Sequence, residues 1–195
     1  MSRFFGAATP ECNESSQTNW LQRGQAGCCV VRFCVHYNAC MDIQIRAATP
    51  SDFPALEELV IASFEPITWQ KKLDEKIEPL NGLDWRERWR LRLAKIFATQ
   101  EVLVGEIDGK LTAMASGTVD RDAALGFIDV LGVGKDFQGQ GLGRQMLKGM
   151  MQHLKSLGCR YVNLDCLADN DAGNALYRSE GFEETARHIR WFRRL

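Results

Sequence analysis

The sequence contains no apolar run that approaches the roughly 20 residues a membrane-spanning helix needs. It also lacks an excess of charge of either sign, because 24 basic residues are balanced by 25 acidic ones and the net charge is -1. A large basic excess is the usual electrostatic signature of proteins that bind nucleic acids or anionic membranes. We therefore expect neither a nucleic acid nor a membrane among the partners of this protein.

Cysteine is scarce in the main body of the chain, where only Cys159 and Cys166 occur after residue 40. The total of seven is odd and offers no disulfide framework there, which favours a reducing, cytoplasmic setting. The other five lack the paired spacing of zinc modules, so we predict no metal site. Those five are Cys12, Cys28, Cys29, Cys34 and Cys40.

The length of 195 residues, with 45% hydrophobic and 25% charged residues, predicts one globular domain with a substantial core. Residues 1 to 40 differ from the rest because they contain no lysine and show no helical or strand periodicity. We interpret them as an N-terminal extension that is disordered or follows from a start site placed upstream of Met41. Residues 41 to 195 then form the domain.

The main body begins with a predicted strand and a predicted helix. Ile43 and Ile45 alternate with polar neighbours as in a half-buried strand, and Thr49–Asp52 supplies capping residues for a helix through Val60. Residues 64 to 83 contain prolines and a glycine and predict an irregular or short-helical connection.

A second strong helix is predicted from the cap Asp84 to about Ala98. Its tryptophans share an apolar stripe, with four arginines around the other side, so core packing is favoured over a nucleic-acid stripe. The stripe consists of Trp85, Trp89, Leu93 and Ile96. Two strands, residues 102 to 107 and 110 to 119, then meet at Asp108-Gly109, a dipeptide that favours a type I′ hairpin turn.

The stretch from Phe127 to Lys155 predicts a buried strand, a glycine-rich loop and an amphipathic helix. The loop has glycines at 139, 141 and 143, which leave no Cβ between a ligand and the main chain. The first turn of a helix also has N–H groups without intrahelical partners. Together these features predict an anion site of the kind that holds a pyrophosphate.

The end of the chain predicts a strand at Tyr161–Leu167, a short helix from Asn170 to Glu180, and one or two closing strands at Phe182–Leu195. The glycine loop does not match a dinucleotide-binding fingerprint, because Arg144 stands where that fingerprint has a third glycine or alanine. No Walker A pattern occurs either.

Two sequence blocks together resemble the GNAT superfamily of acetyl-CoA-dependent N-acetyltransferases. The first is similar to its motif Gln/Arg-x-x-Gly-x-Gly/Ala, with Gln138, Gly141 and Gly143 in the defining places. The second is similar to its Asn-x-x-Ala-x-x-Leu-Tyr-x-x-x-Gly-Phe segment. There the matching residues are Asn170, Leu176, Tyr177, Gly181 and Phe182, and Gly173 replaces the usual alanine.

This resemblance covers residues 41 to 195 and implies an α/β fold. It is the GNAT acyl-CoA N-acyltransferase fold, with a mixed central sheet, splayed middle strands and helices on both faces. It further implies that acetyl-CoA is the acyl donor, with its pyrophosphate on the loop amides and its pantetheine arm on the main chain of Leu131 and Val133. The implied cofactor-binding residues are completed by Gln138, Gly139, Gln140, Gly141, Leu142, Gly143, Arg144 and Asn170.

The resemblance implies that Tyr177 is the general acid that protonates the departing thiolate, since a tyrosine pKa of about 10 lies near the value of about 8.5 for a thiol. Packing in the core with its hydroxyl paired is the alternative role of Tyr177. Asp129 is the candidate base for the amine, because strict alternation puts it on the same strand face as Leu131 and Val133. A hydrogen-bonded strand end is its alternative role, and Glu65 or bulk water is the alternative acceptor of the proton.

The function implied is transfer of an acetyl group from acetyl-CoA to a primary amine, by direct attack in a ternary complex. The acceptor is a small-molecule or peptide amine, which this pattern does not narrow further. A non-catalytic acyl-CoA-binding sensor or regulatory module is the alternative function. Because little sequence follows Phe182, a second copy of the chain, as a homodimer, or the N-terminal arm is a candidate to complete the sheet edge.

Overall fold

The computed structural model of the protein describes residues 43–195, and the predicted extension with its five cysteines lies outside the described residues. Within these residues, five strands and five α-helices follow one another in the order predicted from the sequence, up to the last helix, with α2 in the connection predicted as irregular or short-helical. They are β1 (Gln44–Ala47), α1 (Phe53–Phe64), α2 (Trp69–Lys76), α3 (Trp85–Thr99), β2 (Glu101–Ile107), β3 (Lys110–Asp120), β4 (Leu125–Val133), α4 (Leu142–Ser156), β5 (Tyr161–Leu164) and α5 (Asp171–Ser179).

The strands form one mixed sheet in the order β1-β2-β3-β4-β5. The first four strands pair antiparallel, and β5 is parallel to β4, to which α4 connects it. A parallel pair requires such a crossover, whereas β2 and β3 are joined by a two-residue turn. In that turn Asp108 and Gly109 have φ values of 51° and 74°, which confirms the type I′ geometry that their sequence predicted.

Helices cover both faces of the sheet, as predicted. The face covered by α1 and α3 is built around Leu56, Val60, Trp89, Leu93 and Met114, all buried. The opposite face is covered by α4, whose buried residues are Leu142, Met146, Leu147, Met150 and Leu154. In residues 43–195 no helix is both long enough and apolar enough to cross a membrane.

Helix α3 forms as its sequence predicts. Asp84 accepts a hydrogen bond from the Glu87 amide at 2.9 Å, and the Glu87 side chain accepts one from the Asp84 amide at 3.1 Å, which completes a capping box. All four residues of the predicted apolar stripe are buried, between 0% and 4% exposed. The stripe is therefore part of the core, and the arginines lie on its borders.

The closing strand predicted at Phe182–Leu195 is wrong, because the structure has no strand there. This segment instead contacts α2 and the residues that follow it. The Arg190 guanidinium lies 4.2 Å from the centroid of the Trp69 ring at the start of α2, and Arg194 forms an ion pair with Glu78, two residues after the end of α2. Its apolar side chains Ile189 and Trp191 are 76% and 87% exposed. Within the described residues β5 therefore pairs only with β4, and its outer edge is open.

The start of α1 is fixed by one ionic cluster. Arg46 on β1 donates to both carboxylate oxygens of Asp52, at 2.8 and 2.9 Å, and the Thr49 amide donates to Asp52 Oδ2 at 2.7 Å. These hydrogen bonds to the carboxylate, and above all the one from Arg46, hold the pKa of Asp52 well below its usual range. The Asp52 side chain is only 10% exposed, whereas the Arg46 side chain is 39% exposed, so the carboxylate is shielded and the guanidinium is partly open to solvent.

Replacement of Asp52 by Asn should lower the free energy of unfolding by about 2 kcal/mol at neutral pH, because it removes a charged acceptor from Arg46. Since the pKa of Asp52 is depressed in the folded state, its contribution is complete above the unfolded value of about 3.9 and falls as the pH drops below it. Urea unfolding at pH values of about 7 and 3 measures this. The gap between the wild-type protein and the variant should be smaller at the acidic pH.

Glu75→Gln is the matched control, since Glu75 is an exposed carboxylate on α2 with no ion-pair partner in the described chain. It should leave stability nearly unchanged at both pH values. A gap for Asp52→Asn that does not depend on pH would contradict the assigned cause.

Candidate functional site

A β-bulge in β4 lies where the described sheet opens between its last two strands, β4 and β5. The register pairs Ser116 with Val130 and Gly117 with Ile128, so Asp129 is an extra residue in β4. Ile128 is also the last residue of β4 that pairs with β5, opposite Leu164. From the bulge onward, β4 continues to Val133 without a partner strand on that side. The two strands thus diverge, as the fold class predicted, and we call the opening between them the fork.

The bulge changes which face each residue of β4 occupies. Ile128, Leu131 and Val133 pack in the cluster on the α4 face. Val130 belongs to the cluster on the α1 and α3 face. The expectation that Asp129 shares a face with Leu131 and Val133 is therefore wrong, because the extra residue interrupts the alternation on which it rested.

The Asp129 carboxylate instead lies against α3. Arg92 Nη2 donates to Oδ1, and Gln100 Nε2 donates to Oδ2 at 2.9 Å. The Asp129 side chain is 15% exposed. Each carboxylate oxygen has a second lone pair, so Asp129 retains acceptor capacity beyond these two bonds. The alternative acceptor Glu65 already pairs with Lys71 and Arg86.

The glycine loop presents main-chain donors at the start of α4. Gly139 and Gly141 have φ values of 75° and 83°, and Gly141 is the N-cap of the helix. The amides of residues 139 to 143 have no acceptor at good hydrogen-bond geometry within residues 43–195. Five neighbouring donors at the positive end of a helix dipole have the geometry and the charge that suit an anion.

The side chains of the loop stabilise its shape. Gln138 Nε2 donates to the Val133 carbonyl at 3.1 Å, and Gln140 Nε2 donates to the Asp136 carbonyl at 3.0 Å. Arg144 differs from the five residues before it, because its amide already donates to the Gly141 carbonyl at 3.1 Å. The Arg144 guanidinium binds Glu180 at 2.7 Å and thereby fixes the start of α4 to the end of α5.

Tyr177 on α5 packs into the α4-side cluster together with Leu131 and Val133. Its ring meets that of Phe182 edge to face, with centroids 5.9 Å apart. Burial, and next the neighbouring Cys166 thiol, raise the pKa of Tyr177 to about 12. The hydroxyl has no hydrogen-bond partner in residues 43–195, so the alternative role of a paired core tyrosine does not describe it.

Asn170 caps α5 and touches Cys166. Its Oδ1 accepts from the Gly173 amide at 3.1 Å, and its side chain lies beside the Cys166 thiol, whose pKa is raised mainly by burial. A Cβ at Gly173 would lie 2.6 Å from Asn170 Nδ2 and 3.2 Å from Cys166 Sγ. This close approach explains why glycine stands where the family pattern has alanine.

Asn174 also has a structural role that its sequence position does not suggest. Its Nδ2 donates to the carbonyls of Leu167 and Asn170, both at 2.9 Å. These bonds hold together the loop that follows β5, and hence one wall of the fork.

The structure thus brings the loop amides, Tyr177, Leu131 and Val133 to one face of the fork, and Asp129 to the other. Sequence reasoning did not identify Arg92 and Gln100 as partners of Asp129. The arginines of α3 differ only in their side-chain contacts, which the sequence pattern does not reveal.

The chain matches the model of the acetyltransferase (GNAT) family over residues 55–182. Over 77 residues it is 39% identical to the [ribosomal protein bS18]-alanine N-acetyltransferase of Escherichia coli strain K12, which is 40% of this chain and 51% of that protein. It is 41% identical over 70 residues to a mycothiol acetyltransferase of Geodermatophilus obscurus, 36% of this chain and 23% of that protein. The matched part spans between about a quarter and a half of these relatives.

Among solved structures, the chain is similar to that of AAC(6')-Iy in complex with a bisubstrate analogue, CoA-S-monomethyl-acetylneamine. The TM-score is 0.58 at 16% sequence identity, and the match covers 79% of this chain and 99% of that one. This likeness shows a common fold.

The raised pKa of Tyr177 predicts a loss of stability at alkaline pH. Because its folded-state value is about 12 and its unfolded value is about 10, the folded state retains a proton that the unfolded state releases between these pH values. The free energy of unfolding should fall by about 1.4 kcal/mol between pH values of about 9 and 11 through this group alone. Comparing urea unfolding of the wild-type protein and Tyr177→Phe at both values isolates that term.

Tyr161→Phe serves as the control, because Tyr161 is 62% exposed on the edge strand. That variant should lose stability with pH as the wild-type protein does. If Tyr177→Phe also follows the wild-type curve, burial does not perturb Tyr177 in the way assigned.

Proposed function

Because this chain belongs to the GNAT family of acetyltransferases, we propose that it transfers an acetyl group from acetyl-CoA to a primary amine by direct attack in a ternary complex. The observation that carries this proposal is the row of unsatisfied amides at residues 139 to 143, placed beside the open end of β4. The loop amides are proposed to bind an anion, and the adjoining open end of β4 offers main-chain groups to the extended arm of a ligand.

The loop amides are suited to the pyrophosphate of CoA. An anion there meets several N–H donors and the helix dipole together, so it is held without a metal ion. Gly143 lies against the fork, because a Cβ at this position would be at ordinary contact distance from its neighbours, 3.6 Å from Val133 Cγ2 and 3.7 Å from Leu176 Cδ2. The donor loop and the fork are therefore in direct contact.

The pantetheine arm is proposed to lie in the fork, along the main chain of Leu131 and Val133. Beyond Ile128 these residues have no partner strand on the β5 side, so an extended ligand can take the place of a strand. A backbone N–H of β4 near the bulge would stabilise the oxyanion that forms at the thioester carbonyl. Asn170 is proposed to border the arm while capping α5.

The acyl transfer then needs two proton movements. The amine nitrogen attacks the thioester carbon, a C–N bond forms, the C–S bond breaks, and the sulfur leaves as a thiolate. The nitrogen passes one proton to Asp129, and the thiolate receives one from Tyr177. With its pKa raised to about 12, Tyr177 keeps its proton at any physiological pH, and its hydroxyl is free to donate to the sulfur.

The raised pKa makes Tyr177 a weaker acid than the sequence alone suggested. In the free protein, proton transfer from Tyr177 to the thiolate is unfavourable, because the pKa of Tyr177 exceeds the thiol value of about 8.5 by about 3.5. We therefore assign Tyr177 first a hydrogen bond to the developing thiolate, with the proton following as CoA leaves.

The wild-type protein should be protected from thermal unfolding by acetyl-CoA and should release free CoA when offered suitable members of an amine panel. The panel spans peptide N-termini, lysine, polyamines, aminoglycosides and amino sugars, and thiol release is the measurement. Protection by acetyl-CoA without CoA release on any amine would instead favour the sensor module. Protection by NAD and not by CoA would overturn both the acetyltransferase function and the sensor module.

Two variants locate the chemistry within this experiment. Tyr177→Phe should lower kcat about 100-fold without weakening acetyl-CoA binding, whereas Tyr161→Phe should not change kcat. Asp129→Asn should shift the pH–rate profile to higher pH, because free amine must then come from solution. An unshifted profile would give the role of base to another acceptor, such as bulk water.

Gly139 tests the amide cradle. Gly139 and Gly109 have nearly the same φ, 75° and 74°, and a Cβ at either would meet nothing within 4 Å. Alanine at either position should therefore cost about 1 kcal/mol of stability through backbone strain. Only Gly139→Ala should weaken acetyl-CoA binding, by about tenfold or more, as measured by calorimetry. Equal affinities for the two variants would remove the loop from the binding site.

A further inference from the structure

Arg92 is held on the α3 face of the fork by two contacts. Its Nη2 donates to Asp129 Oδ1, and its guanidinium lies 4.8 Å from the centroid of the Trp89 ring. Trp89 is itself only 3% exposed, and its Nε1 donates to Thr68 Oγ1 at 3.0 Å. The ring is a rigid support, so the plane of the guanidinium has a defined position beside the carboxylate.

The remaining donors of Arg92 are uncommitted. Its Nε and Nη1 contact no acceptor in residues 43–195, and the side chain is 34% exposed. Arg88, one turn earlier on α3, is the opposite case: its three nitrogens bind Gln70, Leu83 and Asp74, and its side chain is 14% exposed. Arg88 braces α2 against α3, whereas Arg92 keeps donors available to a ligand.

Gln100 fixes the other side of the carboxylate. Because a carboxylate only accepts hydrogen bonds, the bond to Asp129 Oδ2 must come from Gln100 Nε2, which sets the orientation of the amide. Gln100 Oε1 is then a buried acceptor without a donor. The Asp129 carboxylate and Gln100 Oε1 are thus neighbouring hydrogen-bond acceptors, and Arg92, which is bonded to Asp129, supplies donors next to that carboxylate.

We propose that the acceptor is an α-amino acyl compound, whose amino group meets Asp129 and whose carbonyl oxygen accepts from Arg92. This inference rests on the proposed function and narrows its substrate class. In such a compound the nitrogen and the carbonyl oxygen lie about 3 Å apart, which suits two side chains that are hydrogen-bonded to each other. Arg92 is then a specificity-determining residue that recognises the oxygen next to the amine.

The same geometry disfavours other amine classes. A polyamine offers no oxygen to Arg92 and brings a second cationic group close to a fixed guanidinium, which raises the electrostatic energy. A simple alkylamine gains the contact with Asp129 and loses the one with Arg92. The selectivity therefore depends on Arg92, while the reacting groups remain those already proposed.

Alaninamide and isopropylamine share the carbon skeleton around the amine, and only the first has a carbonyl group. Because that carbonyl also lowers the pKa of the amine, each amine is compared with itself across the protein variants at one pH. The measurement is CoA release by the wild-type protein, Arg92→Met, Arg92→Lys and Arg90→Met. Arg90 is the control on the same helix, because it binds Glu57 at 2.9 Å and is 50% exposed. Unchanged melting temperatures and acetyl-CoA affinities verify that each variant is folded.

Arg92→Met should lower kcat/KM for alaninamide about tenfold or more beyond its effect on isopropylamine, because both amines lose the support that Arg92 gives to Asp129 and only alaninamide also loses a charged hydrogen bond. Arg92→Lys should recover part of the loss, because a point charge replaces the planar donor. Arg90→Met should change neither.

Equal losses on both amines would overturn the inference, since Arg92 would then only position Asp129. A wild-type protein that prefers isopropylamine over alaninamide would overturn it as well, and would leave the proposed acetyl transfer intact. A wild-type protein that releases CoA with neither of these amines nor any other in the panel would overturn the proposed function itself, and the inference with it.

Discussion

Asp129 is an extra residue in β4, and the rest of the site is arranged around the bulge that it forms. The bulge coincides with the end of the β4–β5 pairing at Ile128, so the main-chain groups of β4 beyond it have no partner strand on that side within residues 43–195. The fork begins at the same point, and the bulge exchanges the faces of the residues that follow. It also places a carboxylate at the branch point, where Arg92 and Gln100 hold it.

The exchange of faces gives the site two sides with different chemistry. On the α4 side lie the loop amides and Tyr177, which suit the phosphates and the departing sulfur of a thioester donor. On the α3 side lies Asp129, which suits an ammonium group. Donor and acceptor can therefore approach the fork from opposite faces of one sheet, as a direct attack requires.

Most of the fold could be predicted from the sequence because its signals are local. The Asp84 cap, the Asp108-Gly109 turn and the spacing of Trp85, Trp89 and Leu93 each depend on residues within a few positions of one another. The glycine loop is equally local. The bulge is not, because it exists only in the register between β3 and β4, which brings residues from distant positions together. Alternation therefore failed at Asp129, the one position in β4 where the pairing departs from a regular ladder.

The prediction of a closing strand at Phe182–Leu195 failed for a related reason. Its alternation of arginine with Ile189 and Trp191 is typical of a strand, yet a strand forms only where an edge of matching length is available. β5 has four residues, and the segment instead gains a cation–π contact with Trp69. Helix α3 shows the same limit within the site: its arginines look alike in the sequence, but Arg88 is consumed by bonds to α2 and Arg92 is not. What separates a structural arginine from a recognition residue is the number of donors left after folding, and tertiary contacts alone decide that number.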